Sequence, residues 1–121
     1  MHALYLVLLT LNLLVETLAG TALIAGPDGI AAAGRGGLWS MHYGFAALAV
    51  ASISVWGFVY RALPQVRQAV QGILLLFHAG IALSLTLAGD QAVGQIIHIV
   101  LATLTLVLVA RSLTGSASPA R

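Results

Sequence analysis

Four long apolar blocks, broken by short turn-forming segments, organise the chain: roughly Ala3 to Ala25, Leu38 to Tyr60, Val66 to Ala88, and Ala92 to Arg111. Each is close to the ~20 residues that an α-helix needs to cross the hydrocarbon core of a bilayer. Gly26-Pro27-Asp28-Gly29 supplies a helix stop and a proline after the first block. Arg61-Ala62-Leu63-Pro64-Gln65 follows the second, and Pro64 cannot continue the helix before it. Gly89-Asp90-Gln91 is short enough to force a tight antiparallel hairpin, with Asp90 expected as the N-cap of the last helix. The pattern predicts an all-α fold, a four-transmembrane-helix bundle forming a single integral membrane domain over residues 1–121. The tail from Thr114 to Arg121 is small and polar and is expected to fray. Met1-His2 offers no basic start, and Asn12 and Glu16 interrupt the first apolar run, so that run reads as a retained helix rather than a cleaved signal.

A second regularity lies across the blocks. Glu16 stands twelve residues before Asp28, and His78 stands twelve before Asp90. Ala25-Gly26-Pro27-Asp28 echoes Ala88-Gly89-Asp90, and Gly37 and Gly94 precede His42 and His98 by five and four residues. These matches predict two repeated helical hairpins related by an axis along the membrane normal.

Composition removes most other classes. Hydrophobic residues make up 60% of the 121 positions and charged ones only 7%, against about 25% charged in a soluble domain. A soluble globular domain is thereby excluded. So is a nucleic-acid partner, which needs a clustered basic face. The chain has no cysteine, so disulfides and thiolate metal sites are absent. Its basic residues are all arginines. With four spans, Arg61, Arg67, Arg111 and Arg121 fall on one side of the membrane and Arg35 alone on the other. By the positive-inside bias both termini are expected in the cytoplasm, and the expected location is a bacterial inner membrane.

Besides tyrosines and the arginines at its ends, each span carries one ionisable residue: Glu16, His42, His78 and His98. Such residues are costly in lipid and turn toward a bundle interior or a cavity. Counted from the segment midpoints, Glu16 falls about 3 Å to the outer side, His78 within about 1 Å of the centre, His98 about 6 Å outward and His42 about 10 Å outward. Depth therefore predicts two layers, Glu16 with His78 and, nearer the outer surface, His42 with His98. Asn12 and Gly20 flank Glu16 by one turn each, and Gln95, His98, Ala102 and Thr105 share one stripe. Ala46 and Ala49 share the face of His42 and leave room beside its ring.

Two kinds of cofactor suit these groups. Two imidazoles at similar depth can ligate haem iron, haem b held by His42 and His98, with Gln95 or Ser40 steadying the far ring nitrogen. Alternatively, Glu16, His78 and His98 can hold a divalent metal through N and O ligands, with Asn12 and Gln95 in support and His42 outside the set. Either implies an electron-transfer or accessory role. The plain alternative is a buried ion pair or hydrogen bond that fixes helix register, in a structural subunit without cofactor. Glu16 and His78 as acid and base on a lipid-soluble substrate would make an enzyme. Gly72, Gly80 and Ser84 offer small-residue surfaces for a homodimer or a larger membrane complex.

Two resemblances add to this. Val15-Glu16-Thr17-Leu18-Ala19-Gly20-Thr21-Ala22-Leu23 is similar to the first-helix pattern of the small multidrug-resistance exporters. That likeness implies proton-coupled export of lipophilic cations with Glu16 as the shared site, and it leaves the three membrane histidines without a role. The whole-chain layout resembles the DoxX-like small four-helix membrane proteins: a first helix ending at Gly26-Pro27, Arg35-Gly36-Gly37 entering the second, Ala88-Gly89-Asp90 as the last hairpin, and an Arg111 stop. This resemblance implies a compact bundle serving as an accessory of a redox system, and it transfers no catalytic residue.

Overall fold

A computed structural model describes residues 2–30, 39–89 and 91–115. The expectations placed on Arg35, Gly36, Gly37, Leu38, Asp90 and Arg121 lie outside those residues. The described chain is helical without strands: α1 (His2–Ala25), α2 (Trp39–Val59), α3 (Pro64–Ala88) and α4 (Ala92–Gly115). All four are long and apolar enough to cross a membrane.

The ends follow from local chemistry. Pro64 opens α3 after an extended Leu63 (φ −88°, ψ 114°). A first-turn residue needs no N–H partner, and the fixed φ of proline already suits the helix. Gly89 closes α3 in the left-handed region at φ 73°, its N–H donating to the Leu85 carbonyl at 2.9 Å. At the start of α4, the Gln91 carbonyl accepts from the Gln95 N–H at 2.9 Å, so Gln91 stands at the N-cap position. Arg111 does not stop α4, which runs on to Gly115. An arginine can extend its head to the interface while its stem stays along the helix.

The chain divides into two compact units, one of Leu9–Val59 and one of Met1–Leu8 with Tyr60–Arg121. Each contains a helical hairpin. In the first, the buried positions of α2 are small: Gly44, Ala47, Ala51, Ser54 and Gly57. They let α1 come close, and a Cβ built on Gly20 or on Gly44 would lie 2.8 Å from the other's carbonyl oxygen. One and two turns before Gly20, α1 buries Glu16 and Asn12. The Asn12 amide donates to Ser54 Oγ at 2.8 Å and to the Val50 carbonyl at 3.2 Å. In the second unit α3 packs along α4. Their buried stripes are Val70, Gln71, Leu74, His78 and Ala82 on α3, and His98, Leu101, Thr105 and Leu108 on α4. Tyr5 and Leu8, from the start of α1, are buried with this unit.

Candidate metal site on the third and fourth helices

His78 lies on the buried stripe of α3, one turn from Leu74 and one from Ala82. His98 lies on the matching stripe of α4, one turn from Leu101. Their exposures are 0% and 7%, so both rings are out of reach of the surroundings of the hairpin. The two Nδ1 atoms stand 2.9 Å apart, and the ring centroids 5.2 Å apart at an interplanar angle of 40°. A hydrogen bond between two Nδ1 atoms requires opposite roles, one ring donating a proton and the other accepting it. Phe77 meets both rings edge-on, at centroid distances of 5.3 Å to His78 and 6.1 Å to His98. It walls the pair with hydrocarbon.

The same separation suits a metal ion. Nitrogens held ~2.1 Å from one ion stand about 3.0 Å apart at a right angle and about 3.4 Å apart at the tetrahedral angle. The observed 2.9 Å needs only a small opening to reach the lower value. A neutral imidazole that loses its ring–ring hydrogen bond can give that lone pair to a cation.

The structure places the other expected residues as follows. Glu16 is buried on α1 at 1% exposure, and Asn12 one turn away at 0%. Asn12 is engaged with Ser54 and Val50 of α2. Gln95 does not steady the ring of His98: its amide donates to Thr86 Oγ1 on α3 at 2.9 Å, a tie near the hairpin turn. The two-layer pairing also changes at His98, whose ring is turned to His78 rather than held for His42. An axial offset of ~5 Å from residue counting is bridged by the two side chains, which depth alone did not weigh. His42 is exposed, and so are Ala46 and Ala49. They do share a face, but the buried face of α2 is the small-residue one. His42 meets Trp39 edge-on at 6.5 Å, in keeping with an interfacial aromatic belt.

Sequence reasoning missed Phe77, Ser54 and Thr86. Ser54 carried a usable signal, since a polar residue in line with Gly44, Ala47 and Ala51 marks the close-packed face. Phe77 carried none, being one of many apolar residues beside a histidine. The chain matches no protein-family model, no curated protein and no solved structure. The chemistry of the site therefore rests on its own residues.

Proposed function

We propose that this integral membrane protein binds a divalent transition metal through His78 and His98, in an accessory or electron-transfer role. The observation that carries the reading is the 2.9 Å approach of two buried Nδ1 atoms from facing helices of one hairpin. Such an approach supplies two nitrogen donors of borderline softness, suited to zinc, copper, nickel or iron. Glu16 is proposed as the third ligand on chemical grounds: it is the one acidic residue within the spans, and it is buried. Residue counting also sets it within about 3 Å of the membrane midplane. A carboxylate beside two neutral imidazoles would offset part of the charge of a divalent ion in a medium that solvates it poorly. The DoxX-like layout, a bacterial inner membrane and cytoplasmic termini belong to the same proposal. So does a homodimer or partner complex through the exposed Gly72 and Gly80, where a Cβ would meet nothing within 4 Å.

Metal analysis and a visible spectrum of the purified protein, loaded with Co(II) and with Zn(II), test the reading. One ion per chain is expected, abolished by His78→Leu and by His98→Leu and weakened at least about tenfold by Glu16→Gln. His42→Leu should leave it unchanged. Folded protein that binds no ion would overturn the proposal. A Soret band on haem reconstitution, lost with His42→Ala and His98→Ala, would replace the metal with haem.

A further inference from the structure

Which ion suits the His78–His98 pair depends on how far its two nitrogens can part. At a metal–nitrogen distance of ~2.0–2.1 Å, the observed Nδ1 separation of 2.9 Å corresponds to an N–metal–N angle of about 90°. A tetrahedral ion needs that separation to grow by about 0.5 Å. Turning the rings about their side-chain torsions can aim two in-plane lone pairs at a common point, and the rings are already tilted by 40° rather than coplanar. Parting them is harder, because whole imidazoles must move into their neighbours.

Those neighbours are close. Leu74 and Ala82 lie one turn to either side of His78, and Leu101 one turn from His98, all buried. Phe77 closes a flank of both imidazoles at once. The centroids of the three rings form a nearly equilateral triangle with sides of 5.2, 5.3 and 6.1 Å. A third ring lodged against both limits the swing of either, and an interior packed like an organic crystal transmits such strain rather than absorbing it. Among the ions that imidazole suits, Cu(II) and Ni(II) favour tetragonal sites with right-angled donors, and Cu(II) is bound the more strongly of the two. Zinc favours the tetrahedron.

On the metal reading above, we propose that the hairpin of α3 and α4 selects Cu(II) over Zn(II) beyond their ordinary order, with Phe77 as the specificity-determining residue. Phe77 gives the ion no ligand. It acts by shape, holding the two nitrogens near a right-angled bite and denying the rings the room that a tetrahedral ion requires.

Chelator-buffered titrations of the full chain in mixed micelles, with Cu(II) and Zn(II) singly and in competition, measure the preference. His78→Leu supplies the background from the exposed His2 and His42. In Phe77→Ala the preference for Cu(II) is expected to fall at least about tenfold, through a gain in Zn(II) affinity. Co(II) reports the same geometry by its spectrum: weak visible bands in the parent protein, and the intense bands of a tetrahedral ion in Phe77→Ala. Phe77→Leu gives the same comparison if Phe77→Ala does not fold. Intense tetrahedral bands in the parent protein, or a Cu(II) preference unmoved in the folded variant, would overturn the proposal and leave metal binding by the histidines in place. Folded parent protein that binds neither Cu(II) nor Zn(II) above the His78→Leu background would overturn the metal reading itself, and the proposal with it.

Discussion

A single methyl group is enough to probe how closely α1 and α2 approach. A Cβ at position 44 would lie 2.6 Å from Ile24 Cγ1 and 2.8 Å from the Gly20 carbonyl oxygen. The first neighbour can rotate, but the second is backbone and cannot yield without parting the helices. Gly44→Ala should therefore cost about 1–3 kcal/mol, read as a lower unfolding midpoint in mixed micelles. Gly72→Ala, with nothing within 4 Å of its Cβ, should not. At this scale the sequence was legible where a residue type had no tolerable alternative. Glu16, His78 and His98 had to be buried, because lipid solvates them poorly, and they are. Their partners were less legible. A ring nitrogen is placed by side-chain torsions and helix rotation, neither of which residue counting supplies, so His98 was matched by depth with His42 rather than with His78.

Helix ends were read to within two residues where proline or glycine marks them, because these act through the backbone alone; the end of α4, with no such mark near Arg111, was set four residues short. Pro64 and Gly89 bound α3 at the two ends where each is chemically suited. At Gly89 the left-handed φ of 73° has a direct cost for any residue with a Cβ. Gly89→Ala is expected to lose about 1–2 kcal/mol, measured by the same unfolding assay, although open space surrounds the site. The face that α2 buries was not legible from hydrophobic periodicity, and its one usable mark, Ser54 in line with Gly44, Ala47 and Ala51, went unread. The inner side of α2 is marked by small side chains rather than greasy ones. Without a hydrophobic drive between helices in lipid, close packing decides which side faces in. His42 was assigned inward because of its chemistry, and chemistry was the wrong guide there.

For the molecule as a whole, charge remains the readable signal. Arg61, Arg67 and Arg111 border the ends of α2, α3 and α4 that fall on one side of an alternating four-span chain. A reporter fused to the C-terminus is expected to be active only where it faces the cytoplasm, and one inserted after Pro27 only where it faces outward. Equal signals from both sides would reverse the assignment and favour the dual orientation of small exporters. The chain has two helical hairpins, but positions matched by the sequence spacing do not share a task. His98 is buried in one hairpin, while its counterpart by spacing, His42, is exposed in the other.

The turn between α3 and α4, three residues from Gly89 to Gln91, also bears on how the protein enters its membrane. A link this short lets the two helices pair as a hairpin and partition from the translocation machinery together. Each would then bring a histidine that lipid receives poorly when presented alone. Entering side by side, the imidazoles can already be hydrogen-bonded to each other, so the polar groups offered to the lipid are fewer than the sequence of either helix suggests. The pair that binds the proposed ion would thus also ease the passage of its own hairpin into the bilayer.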